Sequence, residues 1–227
     1  MTGDDALLAL RAHADPGRAE GLVSYHKAER EYLGLSNAVT GELAAQWRKS
    51  TPEQGALVAL ANDLWASDVY EARVAAGKLF LQARMRPDDR LAWDWITSVV
   101  PQFDSWAIAD AVAQGGQKRL MQDPARLDLL EGWITSEHLW TRRAAFVFTL
   151  PFCKARHPSE VEQAARIRVL AWAEQLAEDP EWFIQKAIAW WLRELSKRDQ
   201  DSARSWLETH GERLKPFARK EAARYLP

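Results

Sequence analysis

The sequence predicts an all-α fold, a solenoid of two-helix repeats that forms a single domain over residues 1–227. Three observations predict it. Strand signals are nearly absent, with no sustained period-2 alternation and no Asn-Gly or Asp-Gly hairpin. Helix-start signals recur along the chain. An aromatic–basic–small pattern also recurs, at spacings of 33, 37 and 43 residues, the period of two-helix solenoid repeats.

Each predicted helix has its own start signal. Thr51-Pro52-Glu53-Gln54 reads as a capping box with Pro at the first helical position, opening a helix through about Trp65. Ser67-Asp68 opens the next, towards Arg84, and Asp123-Pro124 and Ser136-Glu137 open two more. Pro158-Ser159-Glu160 begins a long helix to about Ala177, and Asp179-Pro180-Glu181 begins the helix 181–197. Each start offers a side-chain oxygen to the unpaired N–H groups and acidic charge to the positive end of the dipole.

The repeat itself reads Tyr70-x-x-Arg73-x-Ala75, Trp140-x-x-Arg143-Ala144-Ala145 and Phe183-x-x-Lys186-Ala187. A fourth copy, Phe103-x-x-Trp106-Ala107, carries Trp at the basic position. The small residues allow close helix packing. Trp106, Arg143 and Lys186 are thus equivalent, and four residues on so are Asp110, Val147 and Trp190. Because residues i and i+4 share a helix face, this pattern predicts Trp106, Asp110, Arg143, Lys186 and Trp190 on one surface.

Composition narrows the function classes. Hydrophobic residues are 47% and charged residues 27%, ordinary for a water-soluble protein, but twelve Trp exceed what a core needs, so some are expected at a surface. Cys153 is the only cysteine, which excludes an internal disulfide and a multi-thiolate metal site. No pair of histidines has the His-x-x-x-His spacing, so no zinc site is expected. With no leader-like N-terminus and no apolar run near 18 residues, a cytoplasmic protein is expected, and a monomer. The net charge is −2, yet residues 140–227 hold 16 basic against 12 acidic residues, so a local phosphate-binding surface remains compatible with it.

An Arg and a Lys on one face can hold phosphate, and Trp faces attract cations and stack on bases. A carboxylate among them repels a polyanion. It fits a reaction that builds positive charge, as cleavage of an N-glycosidic bond does on the deoxyribose. Read alone, Trp on a helix is more often core and Asp more often solvated. Two other readings therefore stay open, a non-catalytic helical-repeat protein binding branched or damaged DNA and a protein–protein scaffold.

The chain resembles the AlkD-like HEAT-repeat alkylpurine DNA glycosylases, or DNA alkylation repair enzymes. The segments that carry the resemblance are Tyr25-His26-Lys27 with Tyr32-Leu33-Gly34-Leu35, then Ser105-Trp106-Ala107-Ile108-Ala109-Asp110. They continue with Trp140-Thr141-Arg142-Arg143-Ala144-Ala145, Phe183-Ile184-Gln185-Lys186-Ala187-Ile188-Ala189-Trp190 and Arg219-Lys220-Glu221-Ala222. Together they span about residues 20–224 in the family's order. The resemblance implies a HEAT-like solenoid with a concave DNA-binding face, acting on double-stranded DNA that contains alkylated bases. It implies Asp110 as the catalytic carboxylate, with Trp106 and Trp190 flanking the lesion nucleotide. Arg143, Tyr25, Lys186, Arg219 and Lys220 would contact DNA, and no cofactor or metal is implied. Ser105 and Ala107 depart from the family's pattern, which often has an aromatic and an acidic residue there.

Overall fold

Helices account for nearly all of the regular structure in the computed structural model, as the sequence predicts; it describes residues 1–26 and 28–226. Lys27, part of the Tyr25-His26-Lys27 motif, lies outside the described residues. Among the described residues, extended pairing is confined to an isolated parallel bridge between Glu31 and Val69. The chain divides into two compact units, Met1–Arg119 and Leu120–Pro227.

The first unit contains α1 (Gly3–Arg11), α2 (Pro16–His26), α3 (Asn37–Ser50), α4 (Gln54–Ala66), α5 (Tyr70–Lys78) and α6 (Arg90–Val99). A 3-10 turn at Val100–Gln102 then leads to α7 (Trp106–Gln122), whose last residues begin the second unit. Helix α4 packs on α1, α5 and α6, and α5 also packs on α3. Its core is apolar, with Leu60, Leu64, Phe80 and Ile96 at or near zero exposure. Gly77 lets α5 approach α7: a Cβ there would stand 2.8 Å from the Val112 backbone nitrogen.

Two starts in this unit fall later than the sequence predicts. Helix α4 is capped by Glu53, whose carboxylate accepts from the Ala56 N–H (3.0 Å), so Thr51 and Pro52 precede it. Helix α5 begins at Tyr70, not at Ser67-Asp68. The Ser67 hydroxyl accepts from the Val69 N–H (3.1 Å), and Val69 is held extended against Glu31. That helix also stops at Lys78 and does not approach Arg84. Beyond it the buried Arg119 donates to the carbonyls of Gln82 (2.5 Å) and Ala83 (3.2 Å), so these groups are satisfied without helix.

The second unit holds a 3-10 turn at Pro124–Arg126, then α8 (Leu127–Trp133), α9 (Leu139–Phe148), α10 (Leu150–Lys154), α11 (Glu160–Gln175), α12 (Trp182–Ser196), α13 (Gln200–His210) and α14 (Pro216–Ala222). Helix α12 is its centre, packed against α9, α10, α13 and α14, with Ile184, Ile188, Trp191 and Leu192 buried. Ser159 and Glu162 form the predicted capping box on α11. Asp179 accepts from the Glu181 N–H (2.8 Å) ahead of α12. The Asp123-Pro124 and Ser136-Glu137 signals start a 3-10 turn and a bend, and α8 and α9 follow at Leu127 and Leu139.

Within their own helices, Tyr70, Trp140 and Phe183 all occupy the first turn, as the repeat predicts. Phe103 does not: it is buried ahead of α7, so Trp106 opens that helix. Of the Trp residues read as packing residues, Trp93, Trp95, Trp172 and Trp206 are buried and Trp133 is half-buried. Among the described residues no helix is long and apolar enough to cross a membrane.

Candidate functional site

The first unit carries a cleft of about 430 Å³ into which Trp106 and Asp110 both open. They occupy successive turns of α7, and Gln114 one turn further on lines the same cleft. Ala107 and Ala111 lie between them on the lining, so the helix presents a polar stripe with no bulk beside it. The departure at Ala107 therefore has a local consequence, since a larger residue there would fill the cleft. Ser105, the other departure, is buried ahead of the helix.

The facing wall is aromatic. The His26 ring stacks on Tyr70 (centroids 4.7 Å) and lies tilted against Trp106 (5.3 Å), and Tyr70 stacks on Tyr32 (4.9 Å). Tyr25 meets Trp106 edge to face at 5.7 Å and is 65% exposed. Arg30 fixes this arrangement by donating to Asp104 (2.7 Å from Nε) just before α7 and to Asp68 (3.2 Å) just before α5.

Burial pushes the His26 imidazole below its ordinary value of 6.5. The unfolded chain binds that proton more readily. The stability attached to neutral His26 is therefore complete above pH 6.5 and is lost as pH falls through the lower folded value. An NMR titration of the imidazole ring protons should place its midpoint below 6.5, and a midpoint at or above that value would refute the burial assignment.

Glu71 is the site residue that the sequence reading missed. Its buried carboxylate lines the cleft and accepts three backbone N–H groups, from Leu33 (3.0 Å), Gly34 (2.8 Å) and Leu35 (3.2 Å). Gly34 has φ +83°, and a Cβ on it would stand 2.0 Å from the Asp15 carbonyl oxygen. Only glycine suits that position. The Leu33 carbonyl in turn accepts from the Asp15 N–H (2.8 Å) at the start of α2. Glu71 thus holds the loop that supports α2, and α2 delivers Tyr25 and His26. The signal was present as Tyr32-Leu33-Gly34-Leu35, but nothing in the spacing linked that loop to a carboxylate 37 residues from Gly34.

The second unit carries the remaining predicted residues. Arg143 on α9 is buried at 5% exposure and engaged within the fold. Trp140 packs on Phe183 (centroids 4.7 Å), joining the equivalent aromatics of α9 and α12. Lys186 is half-exposed, ion-paired with Glu221 of α14 and 5.9 Å from the Trp182 ring centre. Trp190 is half-buried one turn along the same helix, while Trp182 is 48% exposed and stacks on Phe217 at 5.5 Å. Arg219 and Lys220 are exposed on α14, with Arg219 ion-paired to Glu212. The basic repeat position therefore serves the fold as well. Arg73 on α5 does the same, lying 4.9 Å over Trp65 and donating to the Ser67 carbonyl (3.4 Å). No group of His, Cys, Asp and Glu that could hold a metal occurs among the described residues.

The sequence matches the model of a family described as DNA alkylation repair enzyme over residues 6–226. The structure is similar to that of a predicted DNA alkylation repair enzyme from Enterococcus faecalis. The TM-score is 0.79 at 22% identity, covering 94% of this chain and 97% of that one. It is also similar to AlkD2 from Streptococcus mutans, with TM-score 0.63 and 20% identity over 84% of this chain and 90% of that one. For smu.31 from Streptococcus mutans UA159 the TM-score is 0.59 at 18% identity, over 83% and 100% of the two chains. At these identities the likeness is one of fold. No curated protein matches the sequence.

Proposed function

The chain belongs to the DNA alkylation repair enzyme family, and from that premise we propose that it is a monofunctional DNA glycosylase. Its substrates are cationic N3- and N7-alkylated purines in duplex DNA, and its product is an abasic site. The observation that carries this reading is Asp110 beside Trp106 in a cleft walled by aromatic rings. An alkylated purine already bears the positive charge that makes it a good leaving group. As the C1′–N bond breaks, its electron pair passes to the purine, which leaves neutral, and the positive charge moves to the sugar. The Asp110 carboxylate stabilises that charge and orients the water that adds to C1′, and the proton released passes to Asp110 or solvent. Nothing in this hydrolysis calls for a cofactor.

Trp106 and Tyr25 offer their rings to the nucleotide, and from the second unit the reading assigns Trp190 the same role. Arg143, Lys186, Arg219 and Lys220 are assigned to phosphate. Arg219 would exchange the exposed Glu212 for the backbone, a trade that costs little in water, and if Lys186 leaves the largely buried Glu221, that carboxylate keeps its second partner, Arg193. The enzyme is read as a cytoplasmic monomer.

The test is release of 7-methylguanine and 3-methyladenine from methylated duplex DNA by the wild-type protein. Release is expected. A protein that binds the duplex but frees neither base would overturn the reading in favour of a non-catalytic DNA binder. The exposed pair on α14 gives a second test. Replacing Arg219 and Lys220 by Gln should weaken duplex binding and make the slope of log K against log salt shallower by about 1.8, or about 0.9 for each phosphate no longer neutralised. An unchanged slope would remove both residues from the interface.

A further inference from the structure

We propose that α2 is a movable wall of the first-unit cleft, which opens as a unit and is drawn shut by what occupies the cleft. Its closing by duplex DNA rests on the reading above, and its opening stands on α2 alone.

Arg18, Leu22 and His26 of α2 line the cleft together with Trp106, Asp110 and Gln114 of α7. Yet no residue of α2 is buried. Ala19, Leu22 and His26 are half-buried, at spacings of three and four that place them on one helix face, and the rest are exposed. The shorter α1 buries Gly3, Ala6 and Leu10, so shortness does not explain the difference. Polar fastenings are missing too. Among the described residues, no side chain of α2 makes a hydrogen bond or ion pair with another element, and the Ser24 hydroxyl donates to the Gly21 carbonyl of its own helix (3.0 Å).

The helix is held at its two ends. At the start, the Asp15 N–H donates to the Leu33 carbonyl (2.8 Å) and the Asp15 carboxylate accepts from the Arg18 N–H (3.2 Å). At the end, the His26 ring lies against Tyr70 and Trp106, and Tyr25 meets Trp106. Between these points its own sequence gives it little support. An isolated helix shorter than about 12–15 residues is marginal in water. Helix α2 has 11, with Gly17 and Gly21 among them.

Elements with few buried apolar groups open at the low end of a protein's range of local stabilities. Helix α2 therefore opens while α5, which buries most of its residues, stays folded. Leu22, Tyr25 and His26 stand at the cleft only while α2 is formed. An occupant that touches them binds the closed form better and shifts the population towards it. Closing α2 and assembling the aromatic wall are then one event.

Amide hydrogen exchange read by mass spectrometry tests this on the full chain, free and bound to a duplex carrying one tetrahydrofuran abasic analogue. In the free protein the α2 amides should exchange about a hundredfold or more faster than those of α5. Saturating duplex should slow α2 by about fivefold or more. Gly21→Ala adds a Cβ that meets nothing within 4 Å. It should slow α2 exchange in the free protein about fivefold, worth about 1 kcal/mol, and leave α5 as it was. Helix α2 amides as slow as those of α5, or unmoved by Gly21→Ala, would overturn the opening. A bound duplex that leaves α2 exchange unchanged would overturn the closing. A protein that releases 7-methylguanine while α2 shows none of these changes keeps the glycosylase reading and loses this one. One that binds no duplex loses the DNA reading and the closing together, and the free-protein exchange still decides the opening.

Discussion

Replacing Asp110 by Asn is expected to lower the single-turnover rate of base release by about a thousandfold. The magnitude follows from the charge that the reaction creates. Two opposite unit charges about 4 Å apart, at an effective dielectric near 20, attract by roughly 4 kcal/mol. Each 1.36 kcal/mol of lost stabilisation is about tenfold in rate. Asn keeps the shape of the side chain and loses the charge, so the cleft should keep its form. Duplex binding should be unchanged or tighter, because a carboxylate repels phosphate. The measurement is single-turnover release of 7-methylguanine by both proteins, with duplex affinity measured in parallel. A loss of binding with unchanged release would show that Asp110 positions DNA and does not act on the bond. A loss of less than about tenfold, worth under 1.4 kcal/mol, would leave too little for a charge contact at that distance.

How much of this was legible in the sequence depended on how local each signal was. Helix content was legible because capping and periodicity act within a few residues, as Ser159 and Glu162 show on α11. The start of α5 was misplaced because Val69 is held by Glu31, 38 residues earlier, and a local reading of Ser67-Asp68 cannot contain that pairing. Its early end has the same cause, since Arg119 takes up the carbonyls at Gln82 and Ala83 from another helix. Trp106 and Asp110 were legible as a pair because one helical turn separates them, and both line the cleft. Gln114 follows the same periodicity and was passed over because no repeat position pointed to it. The repeat equivalence of basic residues promised a shared use. The structure shows Arg73 and Lys186 each engaged within the fold, with Trp65 and with Glu221. Equivalent places in this degenerate repeat share a helical start at Tyr70, Trp140 and Phe183 but not at Phe103, and they leave each side chain to its neighbours.

The residue that held the loop was the least legible, and its removal should have the largest effect on stability. Glu71→Ala is expected to destabilise the first unit by at least about 3 kcal/mol. It would leave three backbone N–H groups without their acceptor, and an unsatisfied buried donor costs roughly 1–3 kcal/mol. Some of these groups will find water once the loop loosens, so the low end of the range applies to each. Glu71→Gln separates the anchor from simple loss of volume. The Oε1 atom, which accepts from Gly34 and Leu35, is retained, whereas the amide NH₂ would face the Leu33 N–H, donor against donor. A loss of about 1–2 kcal/mol is therefore expected for Gln, between wild type and Ala. Urea unfolding followed by circular dichroism measures all three proteins. The loop supports the start of α2 through the Leu33 carbonyl, so the Ala variant should also lose order at Tyr25 and His26. That would appear as a His26 titration moving back towards 6.5 as its ring becomes solvated. If Glu71→Ala is as stable as wild type, the three hydrogen bonds are not what holds the loop, and the aromatic wall of the cleft must be supported by its own ring contacts.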